Sequence, residues 1–330
     1  MLNGKNSIGV SEKIGKVICV VGPTASGKSA LAVKLAKVFD GEVVSCDSMQ
    51  LYKHMDVGTA KATADEMDGV AHHLLDIVDI SDEFSVSDYV DMAEKAAIDI
   101  KERGKLPIFC GGTGLYIDAF TSGMEFGEYG SLPEYRTELE KFAEDNGCEK
   151  LHDMLKKCDP EAAEKTDAAN VKRVIRALEV FKATGEPISV WNKRALENAK
   201  PKDALYIGIT YADRSKLYER IDKRVDIMLE NGIVEETRKL VAMGLRDSKT
   251  AGQAIGYKEF YPYLDGEVSL DECVERLKIN SRHYAKRQLT WFNRNKNVYW
   301  VYPDADDDYV KKAIDACKEF LLQKRGWENG

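Results

Sequence analysis

The run Gly22-Pro23-Thr24-Ala25-Ser26-Gly27-Lys28-Ser29 is the segment of this chain best equipped for chemistry. Its glycines let backbone N–H groups turn inward around phosphate oxygens. Lys28 adds a mobile positive charge, and the Ser29 hydroxyl is placed to hold Mg²⁺. The helix expected from Lys28 points its positive dipole end at the same anion. An apolar run, residues 17–21, precedes the loop, so strand, glycine-rich turn and helix come in the order a phosphate site needs. The segment reads as a site for a diphosphate or triphosphate. A ligand-free turn would leave Lys28 at a helix N-terminus, where a cation is disfavoured. Whether the phosphate belongs to a nucleotide stays open at this point.

Two other segments fall where a parallel sheet presents ligands, at the carboxyl ends of strands. One is Asp47-Ser48-Met49-Gln50. The other is Gly111-Gly112-Thr113-Gly114-Leu115-Tyr116. Asp47 could act as general base or metal ligand, although position alone favours a turn cap. Thr113 could bond a substrate or cap the next helix. No aspartate ends the apolar run 108–110, where a kinase or nucleotide hydrolase often keeps its Mg²⁺-holding acid. That absence weakens an ATPase reading. Arg220 and Arg224 lie beside the apolar stripe Leu217, Ile221, Val225 and Met228 of one expected helix, so both could reach inward to a phosphate. A surface pair fits their positions equally well. His72-His73 reads as a packed or surface pair rather than as metal ligands.

Net charge is −8 over 330 residues. A chain this acidic is not a general nucleic-acid binder, so such contact needs a local basic patch. One exists in residues 281–292, with Arg282 and Lys286 placed opposite the stripe Leu277, Tyr284 and Trp291, and Arg276, Lys278, Arg287, Arg294 and Lys296 extending it. A second cluster is Lys172-Arg173 with Arg176. Two patches suggest a clamp on a structured polynucleotide.

The elements that must position these groups follow from pattern. Strands are expected at 17–21, 42–45, 107–110, 204–209 and 298–301, with a weaker one at 77–78. Helices are expected at 28–39, 87–103, 214–230, 234–243, 270–293 and 305–325. Strand–helix alternation up to about residue 120 indicates an α/β fold with a parallel sheet. From 123 to 200 the chain reads as all helical. The expected organisation is a flexible tail at 1–16, a core from 17–122 and 201–330, and a helical insertion at 123–200. Hydrophobic residues make up 44%, enough for a core, with no apolar stretch near the ~20 residues that span a membrane. The start carries no secretion signal, and the seven scattered cysteines fit a reducing cytoplasm and no zinc site.

These segments together resemble the tRNA dimethylallyltransferases (tRNA isopentenyltransferases). The likeness rests on residues 22–29 (GPTASGKS), 47–52 (DSMQLY), 56–61 (DVGTAK), 72–76 (HHLLD), 111–116 (GGTGLY), 173–180 (RVIRALEV), 253–259 (QAIGYKE) and 284–292 (YAKRQLTWF). They run in family order over nearly the whole chain. Ala62 and Ala71 stand where the family often has proline, and neither change removes a reactive group. The zinc-finger extension of eukaryotic relatives is missing, which points to a bacterial type.

The resemblance implies a P-loop NTPase-like parallel sheet flanked by helices. It implies attack by N6 of the adenosine on the 3′ side of the anticodon on C1 of dimethylallyl diphosphate. Gly22, Pro23, Thr24, Ala25, Ser26, Gly27, Lys28 and Ser29 would hold the diphosphate, with Mg²⁺ on Ser29. Arg220 or Arg224 would clamp it, Thr24 and Thr113 would position the reactants, and Asp47 would take the N6 proton. The implied contacts with the tRNA anticodon stem-loop are Asp47, Ser48, Met49 and Gln50; Arg136; Lys172, Arg173, Val174, Ile175 and Arg176; Gln253, Ala254, Ile255, Gly256, Tyr257 and Lys258; and Ser281, Arg282, His283, Tyr284, Ala285, Lys286, Arg287 and Gln288. A cytoplasmic monomer is expected, with no membrane partner. Three other readings stand beside it. A small-molecule kinase leaves the basic C-terminal helix unexplained. An isopentenyltransferase of free AMP would not need two basic clusters. A non-catalytic tRNA binder leaves the intact loop and Asp47 unexplained.

Overall fold

Residues 17 to 21 are fully buried on both faces, as a central parallel strand requires. The computed structural model describes residues 10–124 and 132–323. Among these, six strands form one sheet: β1 (Lys16–Val21), β2 (Gly41–Ser45), β3 (His72–His73), β4 (Leu106–Gly111), β5 (Asp203–Ile209) and β6 (Val298–Val301). The order is β3-β2-β4-β1-β5-β6, and every pairing is parallel.

Helices α1 (Val10–Ile14), α2 (Lys28–Phe39), α3 (Ala64–Met67), α4 (Val86–Glu102) and α5 (Gly114–Ser122) accompany the first four strands. After α6 (Pro133–Asn146), α7 (Cys148–Cys158), α8 (Pro160–Lys165), α9 (Val171–Thr184) and α10 (Ile188–Glu197) the chain returns to the sheet. Helices α11 (Arg214–Glu230), α12 (Ile233–Ala242), α13 (Tyr261–Leu264), α14 (Leu270–Phe292) and α15 (Tyr309–Leu322) complete the fold.

Alternation along the strands sorts the core into two layers. Val17, Cys19, Val21, Val44 and Phe109 face α4 and α5, where Phe109 stacks on Phe120 at 4.0 Å. Ile18, Val20, Val43, Ile108 and Ile207 face Leu31 and Leu35 of α2 and Ala313 and Cys317 of α15. The chain divides into two compact units, one of residues 1–122 with 202–330 and one of residues 123–201. The second unit has its own core around Leu139, Leu151, Leu155, Val174 and Leu178.

Some details differ from the sequence reading. Of the expected flexible tail, residues 1–9 lie outside the described residues, but 10–14 form α1 with Ile14 fully buried. The ammonium of Lys16 then donates to the Phe320 carbonyl at 2.6 Å at the end of α15, which anchors the C-terminal end of this stretch. Residues 77–78 make only an isolated bridge, Tyr52 with Val78. The final helix starts later than expected, at Tyr309, because the Asp308 carboxylate caps it through the Lys311 N–H at 2.9 Å. No helix among the described residues is long and apolar enough to cross a membrane.

Candidate active site

The phosphate loop joins β1 to α2, and its shape demands glycine at Gly22. There φ is +145°, and a Cβ would fall 2.2 Å from the Ile209 carbonyl oxygen. Gly27, also at positive φ, begins α2. Inside the loop, Ser26 Oγ is buried and makes no hydrogen bond among the described residues. The Lys28 ammonium donates to the Pro23 carbonyl at 2.6 Å. Burial pushes the Lys28 pKa down from 10.5 to about 8. Arg224 lowers it further, while Cys110 and Asp47 act the other way.

Two arginines of α11 close over this loop. Arg220 Nε donates to the Ala25 carbonyl at 3.0 Å, with its guanidinium 5.5 Å from the Tyr211 ring centre. Arg224 Nη2 donates to the Thr59 carbonyl at 3.3 Å, while its Nε is buried without a partner among the described residues. Part of the Arg224 side chain is exposed; it is the enclosed Nε that matters here. Burial lowers the Arg224 pKa, opposed mainly by Asp47. Lys28 and Arg224 thus share Asp47 as a carboxylate neighbour, with Glu66 a further one for Arg224; a buried cation that its acids do not fully balance draws an anion. Ser26 Oγ and Arg224 Nε are the kind of orphaned polar atoms an anion would satisfy.

Asp47 follows β2. Its Oδ1 accepts from the Met49 N–H at 3.0 Å, so the turn-cap role is real. That bond leaves Oδ2 uncommitted among the described residues. Thr113 fixes the same turn from the other side: its Oγ1 accepts from the Ser48 N–H at 3.0 Å and its own N–H donates to the Cys46 carbonyl at 3.1 Å.

Residues 47–49, 253–256, Lys258, Ser281, Tyr284 and Arg287 line one cavity of about 370 Å³ together with Thr24 and Arg224. A second cavity, of about 590 Å³, holds Ala25, Gly27, Lys28, Ser29 and Arg220. Arg224 and Met228 belong to both. The loop 56–61 walls them apart, with Gly58 and Thr59 on one side and Asp56, Val57, Ala60 and Lys61 on the other. Glu236 of α12 holds that loop. Its carboxylate accepts from the N–H groups of Asp56 (3.2 Å), Val57 (2.9 Å) and Gly58 (3.0 Å) and from the Tyr257 hydroxyl (2.6 Å). Sequence reasoning did not find Glu236. An acid at the start of α12 reads as a dipole-favoured residue, and its partners lie some 180 positions away in the chain.

Burial divides the expected tRNA-contacting set. Val174, Ile175, Tyr257, Ala285 and Gln288 are buried side chains that hold their elements in place, whereas Ala254, also buried, lines the cavity beside Asp47. Gln50 donates to the Thr59 and Ala60 carbonyls of the dividing loop, at 3.3 and 3.4 Å. Arg136 pairs at 2.6 Å with Glu179, a fully buried carboxylate that Arg176 also faces at 3.6 Å. Lys172 and Arg173 are exposed. On α14 the basic stripe divides: Arg282 is tied to Asp222 at 2.8 Å and Lys278 to Asp226 at 2.9 Å, whereas His283, Lys286 and Arg287 are exposed. His73 is committed to Glu42 at 2.6 Å, and His72 faces the Val70 carbonyl.

A parallel sheet with a phosphate loop at the end of its central strand, a carboxylate one cavity away and exposed cations beyond defines a group-transfer enzyme that handles a diphosphate and a larger acceptor. The model of the family described as "IPP transferase" matches residues 50–295. Curated relatives include the tRNA dimethylallyltransferase of Caldanaerobacter subterraneus, 48% identical over 93% of this chain and 96% of that one. That of Acetivibrio thermocellus is 50% identical over 92% and 97%. Among solved structures, a tRNA isopentenylpyrophosphate transferase from Bacillus halodurans superposes with TM-score 0.69 at 46% identity, covering 93% of this chain and 96% of that one. A eukaryotic dimethylallyltransferase acting on tRNA superposes at 0.80 with 31% identity over 94% and 82%. The chain belongs to the IPP transferase family.

Proposed function

We propose that this chain transfers a dimethylallyl group from dimethylallyl diphosphate to N6 of the adenosine 3′-adjacent to the anticodon in tRNA, releasing diphosphate. The observation that carries the reading is the pair of cavities meeting at Arg224, one in which Lys28, Lys61, Arg220 and Arg224 outnumber Asp56 and Glu66 and the other presenting Asp47. N6 forms a bond to C1 of the donor as the C1–O bond breaks. The electron pair leaves on diphosphate oxygen, and the N6 proton passes to Asp47 Oδ2. Lys28, Arg220, Arg224 and the N–H groups of residues 27–29 meet the charge that develops on the leaving group. Thr113 acts by fixing the turn that carries Asp47.

An adenine stacked in its loop cannot reach such a site, so it is extruded into the cavity beside Asp47. Lys172, Arg173, Lys286 and Arg287 supply contacts to the phosphate backbone. Mg²⁺ suits the donor set of the phosphate cavity, since it takes few protein ligands and uses substrate phosphates and water. The exposed Ser29 hydroxyl would hold it, and when bound it neutralises charge on the leaving diphosphate. The expected setting is a cytoplasmic monomer.

Incubation with labelled dimethylallyl diphosphate and either unmodified tRNA or free AMP tests this, with ATP turnover as a control. Label is expected on tRNA alone. Label only on AMP, or ATP turnover without label transfer, overturns it.

A further inference from the structure

Gln288 lies in the segment expected to contact tRNA, yet its side chain is turned into the protein and the residue is only 4% exposed. Its Oε1 accepts from the Thr24 N–H at 2.7 Å, and its Nε2 donates to the Gly112 carbonyl at 3.0 Å. These partners dictate which way the amide points. The reverse orientation would set an NH₂ against an N–H and an oxygen against a carbonyl. One side chain of α14 thereby ties the mouth of the phosphate loop to the turn after β4. The fit leaves no slack, because a Cβ on Gly112 would come within 2.0 Å of Nε2. The Thr24 N–H is satisfied inside the protein. The N–H groups left for an anion are those further along the loop, where Lys28 and the start of α2 lie.

We propose that Gln288 is a positioning residue for the prenyl donor: it fixes the entry of the phosphate loop so that the later N–H groups and Lys28 converge on the diphosphate. This rests on the diphosphate reading above. Gln288 then serves donor binding, whereas Lys286, two positions earlier on the same helix, serves tRNA binding. Only a side chain that accepts at one atom and donates at the other does this work. Met matches the shape and does neither. Glu accepts but cannot donate while ionised; once protonated it does both, like the amide it replaces.

The test measures the Kd of inorganic diphosphate with Mg²⁺ and the Kd of unmodified tRNA, for the full-length protein and its variants. Gln288→Met is expected to weaken diphosphate about tenfold and to raise the KM for dimethylallyl diphosphate in parallel, the loss of two buried hydrogen bonds. Its tRNA affinity and salt slope should stay within about twofold. Gln288→Glu should bind diphosphate weakly at pH 8 and recover, relative to wild type at each pH, as the pH falls towards 5. Gln288→Met should show no such recovery, and tRNA affinity that stays level in Gln288→Glu over the same pH range separates a local effect on the loop from a general loss of the fold. The Glu variant decides the matter if the Met variant does not fold. Wild-type affinity for diphosphate in Gln288→Met, or loss of tRNA affinity with a flattened salt slope, overturns the proposal. Failure of the wild-type protein to bind diphosphate removes the loop reading and this inference together.

Discussion

The cavity at the phosphate loop and the cavity beside Asp47 share Arg224 and Met228 but are furnished differently. The first is lined by Lys28, Lys61 and Arg220, which with the shared Arg224 outnumber its two acids, Asp56 and Glu66. The second is walled by Met49, Ile221, Val225, Ile255 and Leu277, with Asp47 as its acid and Lys258 and Arg287 near its mouth. A diphosphate needs fixed positive charge kept from water, because the same charge in solvent is screened to little effect. A base brought out of its stack needs apolar walls and one well-placed acceptor. On the proposed reading, this contrast puts the leaving group on one side of the dividing loop and the nucleophile on the other.

The sharpest way to break this assignment is at Asp47. Asp47→Ala is expected to lower turnover about 10²–10⁴-fold while leaving the Kd for tRNA nearly unchanged; equal losses in both would mean the residue merely caps its turn. Next comes Lys28→Ala, which should weaken diphosphate about 10²-fold and spare tRNA. Parallel loss of tRNA affinity would erase the distinction between the cavities.

A pH series sharpens the same point. Lys28 titrates at about 8 in the folded protein, below its ordinary 10.5, because burial disfavours its charge. Diphosphate affinity should therefore fall as pH rises through about 8, by at most about tenfold per unit. Lys28→Met should lack that component. The same shift makes folding stability rise with pH between about 8 and 10.5, since the unfolded chain binds the extra proton. A wild-type profile identical to that of Lys28→Met would show that the ammonium does not contact the anion.

The smallest expected effect separates two neighbours on α14. Lys286→Ala should weaken tRNA a few-fold and reduce the salt slope by about one. Arg282→Ala should leave that slope almost intact, because Asp222 already neutralises the guanidinium. Equal slopes for the two variants would mean that α14 carries no phosphate contact.

What was legible in the sequence was local. Strand, glycine turn and helix around Lys28 are contiguous, and the helix Arg214–Glu230 shows its buried face by the period of Leu217, Ile221, Val225 and Met228. The parallel sheet followed from strand–helix alternation. What was not legible depends on partners far along the chain. Arg282 and Lys286 are both basic residues one turn apart on α14; only the position of Asp222, 60 residues earlier, separates them. Gln288 looked like one more polar residue in a basic segment, and its bond to Thr24 spans 264 positions. β3 is two residues long and carries no periodic signal. Arg136 offered a charge but no hint of the buried Glu179 that engages it.

The return of the chain to the sheet has a consequence for engineering. The Lys202 N–H donates to the Thr121 carbonyl at 2.9 Å, so the core's polypeptide departs at Ser122 and resumes at Lys202 almost where it left. The stretch 123–201 is therefore an insertion at a single point of the core. Splicing Ser122 to Lys202 through a two-residue turn leaves all five strand pairings uncut. Such a shortened chain would keep the phosphate loop and the turn that carries Asp47, with one point at which other helical modules can be grafted.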